Sequence, residues 1–426
     1  MALIASLVSA AATGASVDFT DSTAFAGATP KLAIFLGGGT GSADAITDGA
    51  SFQLGASDGT THGSMAFSCD TKSAASNVGR SNQSDAAYTC VDTAGAQTAE
   101  ATCALAANKA TLSFSNQSAG ETVYALLLGG DIEVAVVNFS SPGGTGDKEV
   151  THGLTAAPEF IFIFGTGTVD NTNDSNSVQP TIGFWITGDT QVGCGHRIGD
   201  NLTTSALVAR ISSTQAVISM GGSGIAYAAN IHTVNATTFQ LNFDTSTINR
   251  FHIVSVRSTS GTALGLAAGS ITAKTSTGTQ TDAIGMSQNA QVVLSISTAL
   301  TALDSTVTTD PAGCYGFGIA CKNSGTGTWQ YGSVVSGADD GVTISASSDW
   351  MNHQHSASKH INQLDTTGTT AVAATVDSAT GGNLVHNYGT ASGTAVRIPF
   401  LAIGADVPAS GNAARSRFYE MMRANA

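Results

Sequence analysis

Three short apolar runs set the pattern of this chain: Lys31-Leu-Ala-Ile-Phe-Leu-Gly37, Glu159-Phe-Ile-Phe-Ile-Phe-Gly165 and Gln291-Val-Val-Leu-Ser-Ile-Ser297. Each is too short for a helix and lacks polar alternation, so each reads as a strand buried on both faces. Pro30 and Pro158 stand directly before the first two, at a strand entry where a missing N–H costs no ladder bond. A Thr-Gly pair precedes every run, at Thr13-Gly14, Thr145-Gly146 and Thr277-Gly278, with 132 residues from 13 to 145 and again from 145 to 277. Phe52, Phe184 and Phe317 follow as a second anchor, the later two inside Gly183-Phe-Trp-Ile186 and Gly316-Phe-Gly-Ile319. Two strands around a polar turn close each unit: Leu112–Phe114 with Val123–Leu128, Leu241–Phe243 with Phe251–Val256, and Val385–Tyr388 with Val396–Ile403. That is a hairpin pattern.

Anchors repeating in one order predict three tandem copies of a module, over residues 1–132, 133–264 and 265–405. Each copy is expected to hold about seven to nine short strands and to close its own jelly-roll-like β-sandwich. In this register Leu7, Phe139 and Ile271 correspond, which makes the N-terminal apolar segment an opening strand. Residues 406–426 break the pattern. Asn412 is placed to N-cap a short helix, and Phe418 and Met422 fall four apart on one face. Arg415, Arg417, Phe418, Met421, Met422 and Arg423 are the candidate contacts by which this tail docks on a partner protein.

Composition agrees with strands. There are 49 Gly but only six Glu and seven Lys in 426 residues, so strong helix formers other than Ala are scarce; the fold class is all-β. Net charge is −14 and the Lys and Arg are scattered, which leaves no basic stripe to neutralise phosphates and argues against nucleic-acid binding. No apolar run reaches the ~18 residues that span a bilayer. Met1–Ala12 lacks the basic start of a secretory signal, the first Lys being Lys31. Cys69, Cys90, Cys103, Cys194, Cys314 and Cys321 do not recur at matching places in the three copies, so they read as free thiols in a reducing cytoplasm. A Cys90–Cys103 bridge across a hairpin is the alternative.

Candidate chemistry is sparse. Gly37-Gly-Gly-Thr-Gly-Ser42 resembles the nucleotide loop of tubulin-like GTPases, but Ala43–Ala50 leaves room for at most one helical turn, and phosphate needs a helix N-terminus. His353-Gln-His355 with His360 offers two imidazoles on one strand face, yet no Cys or Glu is adjacent, and a polar surface loop is the expected reading. Asp170, Asn173 and Asp174 miss the spacing of a calcium loop and read as turn-satisfying residues. No Gly-x-Ser-x-Gly elbow precedes a helix. No cofactor or metal is expected. Trp185 sits in a core-like strand, whereas Trp329, Tyr331 and Trp350 are the candidate aromatic contacts for a sugar.

Taken together, the chain resembles the β-rich structural proteins of tailed-phage virions. Three features carry the likeness: Gly/Thr/Ser-rich tandem sandwiches, entry strands of the type Pro158-Glu-Phe-Ile-Phe-Ile-Phe164, and the tail Arg415-Ser-Arg-Phe-Tyr-Glu-Met-Met422. The resemblance implies a non-enzymatic virion component, assembled in the host cytoplasm and present in many copies against other virion structural proteins. Capsid decoration is the expected role. A tail-fibre or receptor-binding adhesin that recognises host glycans is the alternative, and a glycan hydrolase the least supported.

Overall fold

A computed structural model describes residues 2–38, 42–70, 77–116, 120–175, 177–199, 207–245, 248–308, 314–338, 351–364 and 369–405. The proposed docking tail, with Arg415, Arg417, Phe418, Met421, Met422 and Arg423, lies outside them, as does Trp350. The described chain is all-β, with one short helical turn.

The first third holds β1 (Leu3–Ala12), β2 (Ser16–Thr20), the turn α1 (Ser22–Phe25), β3 (Leu32–Gly37), β4 (Ile46–Asp48), β5 (Ala50–Ser57), β6 (His62–Asp70), β7 (Asn77–Gln83), β8 (Tyr88–Val91), β9 (Gln97–Ala106), β10 (Lys109–Asn116) and β11 (Glu121–Gly130). The second holds β12 (Ile132–Ser140), β13 (Gly146–Thr151), β14 (Phe160–Gly165), β15 (Thr172–Ser175), β16 (Thr181–Ile186), β17 (Thr190–Ile198), β18 (Leu207–Ser212), β19 (Val217–Gly221), β20 (Gly224–Val234), β21 (Thr238–Thr245) and β22 (Arg250–Ser258). The last holds β23 (Gly265–Thr272), β24 (Gly278–Ala283), β25 (Ala290–Thr298), β26 (Thr306–Val307), β27 (Cys314–Lys322), β28 (Trp329–Ala338), β29 (Met351–Ser356), β30 (Ile361–Leu364), β31 (Thr370–Thr380), β32 (Asn383–Thr390) and β33 (Arg397–Gly404).

These strands form three large and three small antiparallel sheets of matching order. The large ones run β1-β11-β3-β5-β6-β7-β15, β12-β22-β14-β16-β17-β18-β26 and β23-β33-β25-β27-β28-β29-β4. The small ones run β2-β10-β9-β8, β13-β21-β20-β19 and β24-β32-β31-β30. The nested pairing of a jelly roll is confined to the outer strands, β1 beside β11 and β2 beside β10; β5 to β7 and β8 to β10 are simple meanders.

The seventh strand of every large sheet comes from another third. β15 of the second third pairs with β7, β26 of the last pairs with β18, and β4 of the first pairs with β29. The exchange is cyclic and closes on itself. The expectation that each module completes its own sandwich is therefore corrected: one third alone lacks the edge of its large sheet.

Strand periodicity explains the doubly buried runs. In β3, Leu32, Ile34 and Leu36 face a central cluster, while Ala33 and Phe35 face a cluster shared with the small sheet. β14 divides likewise, Phe160, Phe162 and Phe164 against Ile161 and Ile163. So does β25, with Val292, Leu294 and Ile296 central and Val293 outer. The central cluster draws on all three thirds. Phe162 stacks on Phe317 with ring centroids 5.7 Å apart, and Tyr315 packs against Phe52 at 5.8 Å and His196 at 5.5 Å. The largest core is thus common property, and each third also has smaller cores of its own.

Pairing also corrects the sequence register. Leu126, Val254 and Leu401 lie opposite Ile34, Phe162 and Leu294, and their partners in the opening strands are Leu7, Val136 and Ala268. Phe139 and Ile271 sit three residues beyond that register, and an odd slip reverses the face. Leu7 points into the central core, whereas Phe139 and Ile271 point into outer cores. The second anchor slips by even steps, so Phe52, Phe184 and Phe317 all face the central core although they are not in register. The positions that do match are Gly55, Gly183 and Gly318. A Cβ at each would overlap the carbonyl oxygen of Ala87, Ala216 or His360, the residue that leads into β8, β19 or β30. Only glycine lets the small sheet come that close.

Candidate functional site

The joints between thirds carry buried polar chemistry, because an edge strand leaves N–H and C=O groups that need partners. At the joint between the last and first thirds, Ala5 N donates to Ser324 Oγ at 2.8 Å, Ser324 N to Ala5 O at 2.9 Å and Leu7 N to Gln330 Oε1 at 2.9 Å. Asp21 caps α1 through the Thr23 and Ala24 amides and accepts from Ser6 Oγ at 2.5 Å and Asn323 Nδ2 at 2.6 Å. Burial raises the Asp21 carboxyl, but the bonds from Ser6, Ala24, Asn323 and Thr23 outweigh it and hold the group below the usual carboxylate range. At the joint of the second and last thirds, Asp304 accepts from Ser212 Oγ at 2.9 Å and from Ser213 N at 3.0 Å.

At the joint of the first and second thirds, His252 lies fully buried between two amides. Its Nδ1 meets Asn138 Oδ1 at 2.7 Å and its Nε2 meets Asn82 Oδ1 at 2.6 Å. The amide orientations follow from the backbone, since Asn138 Nδ2 donates to His62 O and Ser84 O, and Asn82 Nδ2 to Arg250 O and Thr168 O. Burial pushes the His252 imidazole down to about 3.

His353 and His355 are where the sequence reading is corrected. They lie in β29 and are buried, as is His360 just beyond it. Polar neighbours suggested a surface loop, but these neighbours are themselves enclosed by the next third. His353 Nδ1 meets Gly49 O at 2.5 Å, and Tyr124 Oη meets His355 Nδ1 at 2.9 Å. His360 pairs with His386, Nε2 to Nε2 at 3.3 Å, inside the outer core of the last third. Among the described residues no three His, Cys, Asp or Glu side chains converge as metal ligands would. Asp170 is engaged by Arg250 and by Ser84 Oγ, and Asn173 accepts from Gln83 Nε2 at 3.0 Å. These residues hold β15 against the first third.

The remaining candidates resolve as follows. After Gly37 the chain leads into β4, with no helix before it among the described residues. Trp185 is buried in the outer core of the second third. All six cysteines are buried, with no disulfide among them; Cys90 Sγ donates to Glu121 Oε2 at 2.7 Å. Trp329 and Tyr331 do come together, in a cleft of about 290 Å³ that also includes Leu7, Ser9, Tyr124, Gln330 and Ala357. Both are half-buried, and Tyr331 Oη donates to Val376 O at 2.7 Å. A larger cleft of about 700 Å³ opens beside the first joint, among Lys31, Asp58, Leu105, Ile132, Glu133 and Thr259; no sequence signal pointed to it, because its walls come from five separate segments. Among the described residues no helix is long and apolar enough to cross a membrane.

No family model, curated protein or solved structure matches the chain.

Proposed function

We propose that this chain is a non-enzymatic structural component of a tailed-phage particle, a head-decorating protein held by contacts with other virion structural proteins at a local threefold position. The observation that supports it is the cyclic exchange of β15, β26 and β4, which makes one chain the equivalent of a closed trimer. Such a ring presents three similar faces to three similar neighbours, as a symmetric shell requires. Net charge of −14 argues against a nucleic-acid partner, and the reading needs no cofactor. The tail around Arg415 to Arg423 is its proposed anchor.

The test is location and number. Labelling purified particles should find hundreds of copies spread over the shell; a handful at the tail tip overturns the reading.

A second reading, a tail-fibre or receptor-binding adhesin for host glycans, draws support from the cleft that brings Trp329 and Tyr331 together. Stacking of sugars on such rings predicts that Trp329→Ala abolishes binding on a glycan array. Wild-type protein that binds no glycan removes this reading.

A further inference from the structure

We propose that the outer core of the last third binds a divalent metal ion of the zinc class between His360 and His386, with Asp282 behind His386 as the carboxylate that orients it.

The three residues stand where the other thirds are apolar. The amides of Ala87, Ala216 and His360 donate to the carbonyls of Ala101, Ala229 and Ala374, which makes them one position. Those acceptors pair in turn with Phe114, Phe243 and Tyr388. Two residues earlier on the same strands come Leu112, Leu241 and His386. One strand further out, Phe19, Val150 and Asp282 pair with Ala110, Phe239 and Leu384. Phe19, Leu112 and Ala87, like Val150, Leu241 and Ala216, are all buried. The sandwich therefore closes twice with carbon at these places. The third copy puts a carboxylate and two imidazoles there, at a cost in stability that the fold does not require.

Their geometry fits a metal. His360 is 0% and His386 1% exposed, and their Nε2 atoms stand 3.3 Å apart. Two nitrogens on one tetrahedral zinc, each about 2.0–2.1 Å from it, are separated by about 3.3–3.4 Å. A proton shared between the Nε2 atoms would account for that contact alone. It leaves His360 Nδ1, His386 Nδ1 and Asp282 Oδ2 buried without a hydrogen bond. A metal draws on both Nε2 lone pairs and makes His386 Nδ1–H a stronger donor towards Asp282 Oδ2, 3.5 Å away, as in a carboxylate–histidine–zinc triad. Imidazole donors suit zinc, copper and nickel, not calcium or magnesium. Two protein ligands leave the other positions to water. The way in is by Tyr331, whose ring lies 6.3 Å from that of His360 and which also lines the cleft of about 290 Å³. Once bound, the ion ties the start of β30 to β32 across β31.

The proposal is independent of any role in a virion, and zinc itself is the probe. Chelator-treated full-length protein is titrated with zinc at pH 7.5, by calorimetry and by thermal unfolding. One equivalent should bind, and free zinc at a hundred times its dissociation constant should shift the unfolding equilibrium about a hundredfold towards the folded state. His386→Leu and His360→Ala, which install what the second third already carries, should fold and lose this response. Asp282→Asn should weaken zinc about tenfold to a hundredfold, while His232→Gln, at an exposed histidine, should leave it unchanged. Wild-type protein that zinc does not stabilise overturns the proposal. So does stabilisation that survives in both His386→Leu and His360→Ala.

Discussion

Tyr124 Oη meets His355 Nδ1 at 2.9 Å across 231 residues, and the pair occupies the same register position as His252 and Asn82 at the neighbouring joint. At the last joint the corresponding residues are Pro399 and Ile211, both buried and neither offering a side-chain hydrogen bond. The same register position thus carries hydroxyl on imidazole at one joint, imidazole on amide at the next, and two buried apolar residues at the third. Repetition has kept the position and let its chemistry diverge.

Removing the hydroxyl tests that place directly. Tyr124→Phe keeps the ring and deletes one buried hydrogen bond, with an expected loss of about 1–2 kcal/mol. It should lower the urea midpoint without changing the slope of the transition.

The shared core predicts coupling between thirds. Phe162 is fully buried and touches Phe164, Phe184 and, from the last third, Phe317. Phe162→Ala should cost about 3–5 kcal/mol and weaken amide protection in β9 and β10 of the first third as well as in its own. Loss confined to the second third would show that the cores act separately.

Close approach of the sheets predicts an intolerant glycine. In Gly183→Ala the new methyl meets the backbone carbonyl of Ala216, which no rotamer change can relieve. The expected cost is about 3 kcal/mol or more, read as a fall in the thermal midpoint. The same substitution at Gly188, where nothing lies near and φ is +90°, should cost only the backbone strain of about 1 kcal/mol.

Asp21 gives the pH dependence of the joint between the last and first thirds. Its folded-state value lies below the ordinary 3.8, so its contribution is full above that value and is lost as pH falls through the folded one. Asn caps a helix about as well as Asp, so Asp21→Asn removes the charge and leaves the cap. The variant should be less stable than wild type at pH 7, and their urea midpoints should converge as pH falls through the lowered Asp21 value.

Strands were legible where both faces are buried. Runs such as Phe160 to Phe164 form the expected strands, and so do Leu112–Phe114 and Val123–Leu128, but the last two are no hairpin: β10 pairs with β2 and β9 in a small sheet, and the turn carries the chain across to β11 in the large one, beside β1 and β3. Register was not legible, because a chain this rich in Gly, Thr and Ala supplies many near-matches; Phe139 and Ile271 were aligned with Leu7 three residues out of place. The signal that fixes the register, glycine at 55, 183 and 318, looks ordinary among 49 glycines until the carbonyl above it is seen. The exchanged strands were invisible for another reason. Ile46–Asp48 and Thr306–Val307 are too short to show a period, and their partners belong to a different third. His353 and His355 looked wet for the same cause.

The pairing of β4 with β29 has a consequence for how the molecule is made. His353 and Gly49 are 304 residues apart, so β4 waits without its partner until β29 has also emerged. Contacts that distant are slow to form, and a product that stops short of β29 would keep an open, self-adhesive edge. Completion of the circle therefore reports that synthesis has passed β29.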